Sequence, residues 1–272
     1  MINLLYAGNA QIFDGLLISL YSLAQNTKQP FTAYVLTMDL SEIDPAYIPI
    51  SDNQIQVLQN VIAKFNSQNK IVKVDTTKLY HQVFDDGKNT DIPRCTPYTL
   101  LRLLAPKLNL PSKIIYLDVD TIINHDISEL FDIDVTNFEV GAVRDILFVN
   151  FVGFFNYFNA GVLLLNLDKI RQTKSFDRAI DIYKAQRLSF ADQDALNKVI
   201  KHRRMLPYKF NWFRHKCKYN TDIVVHHLCN ARQKGNTRRR IKPWQTELFL
   251  QSFPVYTSLV NDCLRIKKDA NL

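Results

Sequence analysis

The chain has 272 residues, 47% of them hydrophobic, with 7 glycines and a formal net charge of +8. This length and composition suit one large α/β domain, or one domain with an appendage, and argue against a disordered protein. No apolar run has the length of a transmembrane helix and no secretory signal opens the chain, so we expect a soluble, cytoplasmic protein. The four cysteines include no Cys-x-x-Cys pair, which disfavours a zinc ribbon or a redox motif.

The first half of the chain alternates predicted strands and helices. Apolar runs predict strands at 2–7, 32–38 and 71–74, and apolar residues at helical spacing predict helices that end near residue 26 and cover 55–65. This succession predicts a parallel sheet with right-handed crossovers. The polar segment 81–94 contains Gly87 and Pro93 and predicts a loop, and Thr96 followed by Pro97 is typical of a capped helix start.

The second half continues with further strands and helices. We predict a helical turn at 126–131, strands at 138–143, 162–167 and 223–225, a helix at 174–187 and another that begins with Asp192 as its N-cap. The aromatic segment 146–158 predicts a loop that covers the core, with a flexible flap over a ligand as the alternative. Since no repeat or linker is visible, we predict one domain at 1–245 and a C-terminal helical extension at 246–272.

The segment that organises the chain runs from Lys113 to Asp126. It begins as an apolar, β-branched strand and then places Asp118 and Asp120 one residue apart. Two carboxylates at this spacing repel each other, and their hard oxygens suit Mg²⁺, Mn²⁺ or Ca²⁺. Because open α/β sheets bind ligands beyond the carboxyl ends of their strands, we favour a metal or nucleotide site over simple strand-end and turn-capping roles.

Other polar groups follow predicted strands or open a predicted helix. The strand-end sets are Gly8 with Asn9, Asn159 with Ala160 and Gly161, and His226 with His227. One imidazole would complete a metal shell with two aspartates, and such mixed donors favour Mn²⁺ over Ca²⁺. Asp192 and Gln193 open a helix, where they either cap it or orient a polyhydroxylated substrate.

Basic residues concentrate between residues 201 and 242. This segment holds thirteen Lys or Arg and a single acid, Asp222, so its net charge is +12. A local basic patch predicts an anionic partner such as phosphate, acidic lipid or nucleic acid. We expect peripheral docking on an anionic membrane, at its inner face, or on a phosphorylated glycan, and we do not expect a nucleic acid partner.

Four motifs, in this order, resemble glycosyltransferase family 8, the retaining nucleotide-sugar enzymes that include lipopolysaccharide galactosyl- and glucosyltransferases and glycogenin. The motifs are Tyr-Leu-Asp-Val-Asp-Thr at 116–121, Phe-Asn-Ala-Gly-Val-Leu-Leu-Leu-Asn at 158–166, Asp-Gln-Asp-Ala-Leu-Asn at 192–197, and His-Leu-Cys at 227–229 followed by Lys-Pro-Trp at 242–244. The resemblance implies a GT-A fold, which is a Rossmann-like, mostly parallel α/β sheet with flanking helices. It also implies Mn²⁺-dependent transfer of glucose or galactose from a UDP-sugar to a glycan, glycolipid or glycoprotein acceptor.

The same resemblance implies roles for individual residues. Asp118, Asp120 and His227 would bind Mn²⁺, with Mg²⁺ as the alternative ion, and Lys242 would contact the diphosphate. The remaining positions would hold the donor, with Ala7, Gly8 and Asn9 at the uridine and Arg102, Asn159, Ala160, Asp192 and Gln193 at the sugar. Gln193 and Asp192 would be the catalytic residues.

The chain departs from the family pattern at two places. Gly8 stands where the family has an aspartate, and Asn230 stands where it has a glycine, ahead of a basic insertion that ends at Lys242. The register between His226 and His227 is ambiguous, and we prefer His227 for its spacing to the residues that follow. Because a neutral amide is a poor nucleophile, we expect front-face substitution, with Gln193 steadying an oxocarbenium-like carbon.

Two other functions fit parts of the sequence. Leu-Asp-Val-Asp-Thr at 117–121 also resembles the nucleophile motif of haloacid-dehalogenase-type phosphatases, but that motif opens its fold, whereas three predicted βα units come first here. A basic, non-enzymatic adaptor for membrane or nucleic acid would explain the charge of 201–242, but it would leave the polar sets at the strand ends without a role.

Overall fold

The computed structural model describes residues 1–84, 96–145, 156–213 and 222–271. Most of the predicted loop at 81–94, most of the aromatic segment at 146–158 and residues 214–221 of the basic segment therefore lie outside the described residues. The predictions for these three stretches stay predictions.

The described strands form one large sheet and two short ribbons. They are β1 (Ile2–Ala7), β2 (Phe31–Thr37), β3 (Lys70–Asp75), β4 (Lys113–Leu117), β5 (Thr121–Ile123), β6 (Val140–Arg144), β7 (Phe158–Asn166), β8 (Arg203–Leu206), β9 (Val225–His227), β10 (Arg232–Gln233) and β11 (Asn236–Arg240). Seven of them make a sheet in the order β3-β2-β1-β4-β7-β6-β8, while β5 pairs with β9 and β10 pairs with β11.

Strand direction in the large sheet is mixed but mostly parallel. β3, β2, β1 and β4 pair in parallel, as do β6 and β8, and β7 is antiparallel to both β4 and β6. The prediction of an α/β fold with a mostly parallel sheet is confirmed. The parallel half brings the carboxyl ends of β1 and β4 to one edge, where a ligand site is expected.

Helices cover both faces of the sheet. They are α1 (Phe13–Asn26), α2 (Asp52–Ala63), α3 (Thr77–Phe84), α4 (Leu101–Leu104), α5 (Ser128–Phe131), α6 (Leu167–Thr173), α7 (Ser175–Ala185), α8 (Ala191–Val199), α9 (Thr246–Ser252) and α10 (Thr257–Asp269). Side chains of β4 alternate between two cores, with Ile115 and Leu117 in one and Ile114 and Tyr116 in the other. Two buried faces explain why this strand is apolar from Ile114 to Leu117.

Several predicted boundaries are wrong because tertiary contacts override local polarity. Residues 81–84 belong to α3 rather than to a loop. The polar set at Asn159–Gly161 lies inside β7 instead of before it, and the two histidines lie inside β9 instead of after it. Both sets are polar or small residues whose backbone pairs with neighbouring strands, which a scan for apolar runs cannot detect. Pro97 does open a helical turn, but the Thr96 side chain makes no capping hydrogen bond.

The C-terminal helices pack against α1. Phe249, Tyr256, Val260 and Cys263 are buried in the same core as the inner face of α1. The Tyr21 hydroxyl donates to Asp262 Oδ2 at 3.1 Å, which adds a polar contact between α1 and α10. Among the described helices, none combines the length and the apolar character needed to span a membrane.

Candidate functional site

A short antiparallel ribbon brings the aspartate segment and the histidine strand together. Asp118 follows β4, and its backbone N–H donates to Gly161 O in β7 at 2.8 Å. The ribbon then pairs Thr121 of β5 with His227 of β9, and Leu228 N donates to Asp120 O at 2.8 Å. Residues more than 100 positions apart therefore meet at the carboxyl end of β4.

The side chains of Asp118, Asp120 and His227 converge on one point. Each offers one ligand atom, and these three atoms lie within 4.8 Å of one another. His227 Nε2 is 3.3 Å from Asp120 Oδ1 and 3.5 Å from Asp118 Oδ2. This buried nitrogen has no hydrogen-bond partner among the described residues, and two carboxylates and an imidazole are donors that suit Mn²⁺ or Mg²⁺. The residues present therefore fit a divalent cation.

Charge–charge contacts shift the acid–base behaviour of this group. Burial raises the pKa of Asp120, but the positive charges of Lys242 and His227 lower it by more than burial raises it. The net pKa is therefore below the usual range for Asp. Burial lowers the pKa of His227, but Cys229 and Asp120 raise it, and the net pKa is well above the ordinary value. The Asp120 carboxylate is therefore ionised and available as a metal ligand at neutral pH.

The two histidines of β9 face different environments. His226 Nδ1 is 2.8 Å from the Tyr256 hydroxyl, and its ring packs edge-on against Phe253. Burial and the neighbouring His227 lower the pKa of His226 to about 4, so it is neutral. His227 is the histidine that faces the aspartates, as its spacing in the sequence suggests.

Asn211 fixes the orientation of the His227 ring, and the sequence analysis did not identify it. Asn211 Nδ2 donates to Asn159 Oδ1 at 2.9 Å, so its Oδ1, 3.0 Å from His227 Nδ1, must accept. Nδ1 therefore carries a proton, and Nε2 is directed at the carboxylates, where a bound cation would replace the second proton that the raised pKa keeps on the ring. No sequence signal marks Asn211, because its partners lie 52 and 16 residues away.

Gly161 supplies the space that the imidazole occupies. A Cβ at this position would lie 2.0 Å from His227 Cε1, closer than any real contact. The glycine of this motif is therefore required by the neighbouring ring. Asn159, inside the same strand, is buried and uses its amide within the protein, donating to Asp145 Oδ2 at 3.3 Å.

Arg102 joins two of the predicted site carboxylates. Its Nη2 donates to Asp118 Oδ1 at 2.9 Å, and its Nε lies 3.0 Å from Asp192 Oδ2. That Nε–H points at Thr99 O, so the contact with Asp192 is an ion pair without an aligned hydrogen bond. The guanidinium also donates to Ala160 O and lies 4.2 Å from the centre of the Tyr116 ring. Arg102 thus holds the aspartate segment, β7 and α8 together.

Asp192 does not cap its helix. The N-cap of α8 is Phe190, and Asp192 is the second helical residue, buried with its Oδ1 accepting from the Thr99 hydroxyl at 2.8 Å. Burial raises the pKa of Asp192, and the Arg102 charge offsets only part of that rise. The prediction of an N-cap is wrong because the side chain turns inward to meet these partners.

Gln193 is held at both ends of its amide. Its Oε1 accepts from Ala160 N at 2.9 Å, and its Nε2 donates to the Tyr157 hydroxyl at 3.2 Å. The Tyr157 hydroxyl in turn donates to Asp194 Oδ1 at 2.5 Å. A side chain fixed in this way keeps a constant position relative to β7.

Lys242 and the end of β1 complete the set of predicted residues. Lys242 Nζ forms an ion pair with Asp120. Burial lowers the pKa of Lys242, but Asp120 raises it more, so the ammonium stays charged.

The residues after β1 are held by contacts within the protein. Ala7 ends β1, and the buried Asn9 just beyond it donates to Ala46 O at 3.2 Å. An added Cβ at Gly8 would meet Ile12 side-chain atoms at 2.5 Å, so a larger residue would force Ile12 to move.

Comparison with known proteins identifies one matching family. The sequence model of glycosyl transferase family 8 matches residues 3–244. A putative glycosyltransferase of Haemophilus influenzae is 25% identical over 77% of this chain and 63% of its own length. Lipopolysaccharide 1,2-glucosyltransferase of Escherichia coli is 26% identical over 77% of this chain and 62% of its own length. The chain thus spans less than two thirds of the length of these curated relatives.

Solved structures give the same fold. Galactosyltransferase LgtC, in complex with donor and acceptor sugar analogues, superposes with a TM-score of 0.69 at 19% identity and covers 96% of both chains. Glycosyltransferase GlyE of Streptococcus pneumoniae superposes with a TM-score of 0.63 at 17% identity over 96% of this chain and 63% of that one. These neighbours confirm the GT-A fold, and the family match favours a transferase over the phosphatase and adaptor alternatives. From the match to the family model over most of its length, the chain belongs to glycosyltransferase family 8.

Proposed function

We propose that the protein is a retaining glycosyltransferase that moves glucose or galactose from a UDP-sugar to a glycan, glycolipid or glycoprotein acceptor in the cytoplasm. The observation that carries the proposal is the convergence of Asp118, Asp120 and His227 within 4.8 Å at the carboxyl end of β4. Family membership and the names of the relatives above support the same reaction class.

The proposal assigns the metal to these three side chains. Asp118 and Asp120 would supply oxygen ligands and His227 would supply Nε2, the atom without a hydrogen-bond partner among the described residues. When bound, Mn²⁺ would neutralise the negative charge that develops on the departing diphosphate. Mixed carboxylate and imidazole donors are the reason to prefer Mn²⁺ to Mg²⁺.

Lys242 would act on the same diphosphate. Its ammonium pairs with Asp120 and remains charged, so it would offer a cation to a diphosphate bound at the metal site. A preorganised cation at a developing negative charge lowers the barrier, because little reorganisation is needed during the reaction.

Asp192 and Gln193 would hold the donor sugar. Asp192 is positioned by Arg102 and Thr99, and Gln193 is positioned by Ala160 and Tyr157. Since an amide is a weak nucleophile, the acceptor would enter on the face that the diphosphate leaves, with Gln193 near the cation-like carbon. Ala7, Gly8 and Asn9, at the end of β1, would hold the uridine.

A panel of UDP-sugars tests the reaction class. Incubated with the protein and Mn²⁺, UDP-glucose or UDP-galactose should be hydrolysed slowly even without an acceptor, and chelation of the metal should stop it. Asp118→Asn and Asp120→Asn should abolish this activity. Release of phosphate from a generic phosphomonoester, with no hydrolysis of any UDP-sugar, would contradict the proposal and support the phosphatase alternative.

Contact with an anionic membrane stays a prediction within this proposal. Vesicle co-sedimentation at low and high salt measures it, because electrostatic binding weakens as salt is added. Equal sedimentation with neutral and anionic vesicles at both salt concentrations would contradict it.

A further inference from the structure

The hairpin of β10 and β11 is a charged surface that the proposed chemistry does not use. β10 begins five residues after His227, and β11 ends two residues before Lys242. Ile241 N donates to Ala231 O at 3.1 Å and Ile241 is fully buried, so the base of the hairpin is fixed in the core. Two residues span at most about 7 Å, so this base borders the candidate site.

The hairpin has an irregular register. Arg232 lies opposite Arg240 and Gln233 lies opposite Asn236, which leaves residues 237–239 of β11 without counterparts in β10. Extra residues on one strand form a bulge, and bulges beside functional sites change the direction in which side chains point. Arg238 and Arg239 lie in this bulge and are exposed.

The register places two like charges opposite each other. Arg232 and Arg240 are cross-strand partners, and directly opposed like charges destabilise a strand pair. Residues 231–242 contain no Asp or Glu. Among the described residues, none of the hairpin's five cations forms an ion pair with a carboxylate; they are Arg232, Lys234, Arg238, Arg239 and Arg240. An anionic ligand would relieve the repulsion that no carboxylate of the described residues compensates.

We propose that Arg232, Arg238, Arg239 and Arg240 bind phosphate groups carried by the acceptor, which is a phosphorylated glycan. Guanidinium groups bind phosphate through paired N–H donors, which makes arginine the preferred residue where phosphate geometry is recognised. Lys242 and the metal ligands are assigned to the donor diphosphate, so an anion at the neighbouring hairpin comes with the other substrate. The assignment of these phosphates to an acceptor rests on the proposed glycosyl transfer. Phosphate binding by the hairpin is independent of that proposal.

Binding of the full chain to immobilised phosphorylated glycans tests this inference. The matched probe is the same glycans after phosphatase treatment. Two double variants, Arg238→Gln with Arg239→Gln and Arg232→Gln with Arg240→Gln, remove two charges each from the hairpin. The control, Lys64→Gln with Lys70→Gln, removes two exposed charges outside the hairpin, near the start of the edge strand β3.

Wild-type protein and the control should bind the phosphorylated glycans alike, and each hairpin variant should bind about tenfold more weakly or worse. Phosphatase treatment should reduce wild-type binding by a similar factor. Equal binding before and after phosphatase, or an equal loss in the control, would overturn the inference. Binding to phosphatidylglycerol vesicles without binding to phosphorylated glycans would also overturn it, in favour of a membrane surface.

Two further measurements separate this inference from the proposed function. Thermal unfolding of the Arg232→Gln, Arg240→Gln double variant should be unchanged or shifted upward, because the repulsion between the two arginines is removed. Weaker glycan binding by this variant would then not reflect unfolding. Titration with UDP and Mn²⁺ reports the donor site alone. Hairpin-dependent glycan binding without UDP binding would contradict the proposed transferase but support the phosphate site. UDP binding without hairpin-dependent glycan binding would contradict only the phosphate site on the hairpin.

Discussion

At the residue scale, the candidate site depends on how one imidazole is held. Asn211 accepts from His227 Nδ1, and β7 has Gly161 at the point where any side chain would clash with the ring. The ring therefore has one orientation, with Nε2 between two carboxylates. A ligand that is fixed before the metal arrives loses little freedom on binding, which favours affinity.

We predict that Asn211→Leu weakens Mn²⁺ binding by about 10- to 100-fold, the usual effect of removing a group that orients a metal ligand. The substitution removes the acceptor for the Nδ1 proton and leaves the ring free to turn. Titration with Mn²⁺ by calorimetry or electron paramagnetic resonance measures the affinity directly. Asn211→Asp keeps an acceptor at the same place and should lose less of the affinity for Mn²⁺.

Thermal unfolding is the control for the Asn211 variants, since a buried amide also contributes to stability. A folded Asn211→Leu protein that binds Mn²⁺ as tightly as wild type would show that the hydrogen bond to His227 does not position a metal ligand. An equal loss of Mn²⁺ affinity in Asn211→Leu and Asn211→Asp would indicate that Asn211 acts through packing and not through its hydrogen bond to His227.

We predict that Gln193→Ala lowers kcat more than it raises the KM for the UDP-sugar, by on the order of 10²-fold in kcat. The amide is held by Ala160 N and by the Tyr157 hydroxyl, so it is placed rigidly enough to act on the transition state. Steady-state kinetics with saturating acceptor separate the two constants. A variant with an unchanged kcat would remove Gln193 from the mechanism.

At this scale, residue type and spacing predict some positions and not others. Asp118 and Asp120 follow an apolar strand one residue apart, so both the strand and the pair are visible in the sequence. Asn211 sits in a short irregular stretch, and its partners come from β7 and β9. Its position follows from tertiary packing, which local pattern and propensity do not encode.

At the element scale, the parallel βα units could be predicted and the polar strands could not. β1, β2 and β4 are apolar because both faces of each are covered, and an apolar run is the signal that sequence reading detects best. β3 lies at the edge of the sheet and is partly exposed, but its apolar residues still mark it as a strand. β9 is only three residues long, and two of these are histidines. It becomes a strand because β5 supplies a partner at Thr121 to Ile123.

The C-terminal helix α10 provides a test at the same scale. Cys263 is 3% exposed against α1, and burial, with Asp262 and Asp14 nearby, raises the pKa of its thiol from 9.0 to about 12. We predict that iodoacetamide at pH 8 alkylates Cys263 far more slowly in the folded than in the unfolded protein, because the thiolate fraction is about a thousandfold lower.

Peptide mass spectrometry after timed alkylation measures this rate, and the half-buried Cys229 serves as an internal comparison. In the folded protein the rate at Cys263 should rise about tenfold for each pH unit above pH 8, in proportion to the thiolate fraction. Rapid alkylation of Cys263 at pH 8 in the native protein would mean that α10 does not pack against α1 in solution.

At the scale of the whole molecule, the carboxyl end of β4 unites residues from distant parts of the chain. Asp118 comes from the parallel half, His227 from a separate ribbon, and Lys242 from the segment after the basic hairpin. The contacts of His227 with both aspartates, and of Lys242 with Asp120, exist only in the complete fold. The uridine end of the site, at Ala7 to Asn9, and the 1–245 and 246–272 division of the chain stay proposals.

Calorimetric titration of UDP with and without Mn²⁺ measures whether the site binds a metal and a UDP-sugar together. If diphosphate and protein ligands share the metal, each ligand must lower the dissociation constant of the other by the same factor. We predict this coupling in the wild type and its loss in Asp118→Asn and Asp120→Asn, both still folded. His227→Ala should weaken Mn²⁺ more than Mg²⁺, while His226→Ala should keep the coupling. Unchanged coupling in both aspartate variants would contradict a metal site that is formed by Asp118 and Asp120 and shared with the diphosphate.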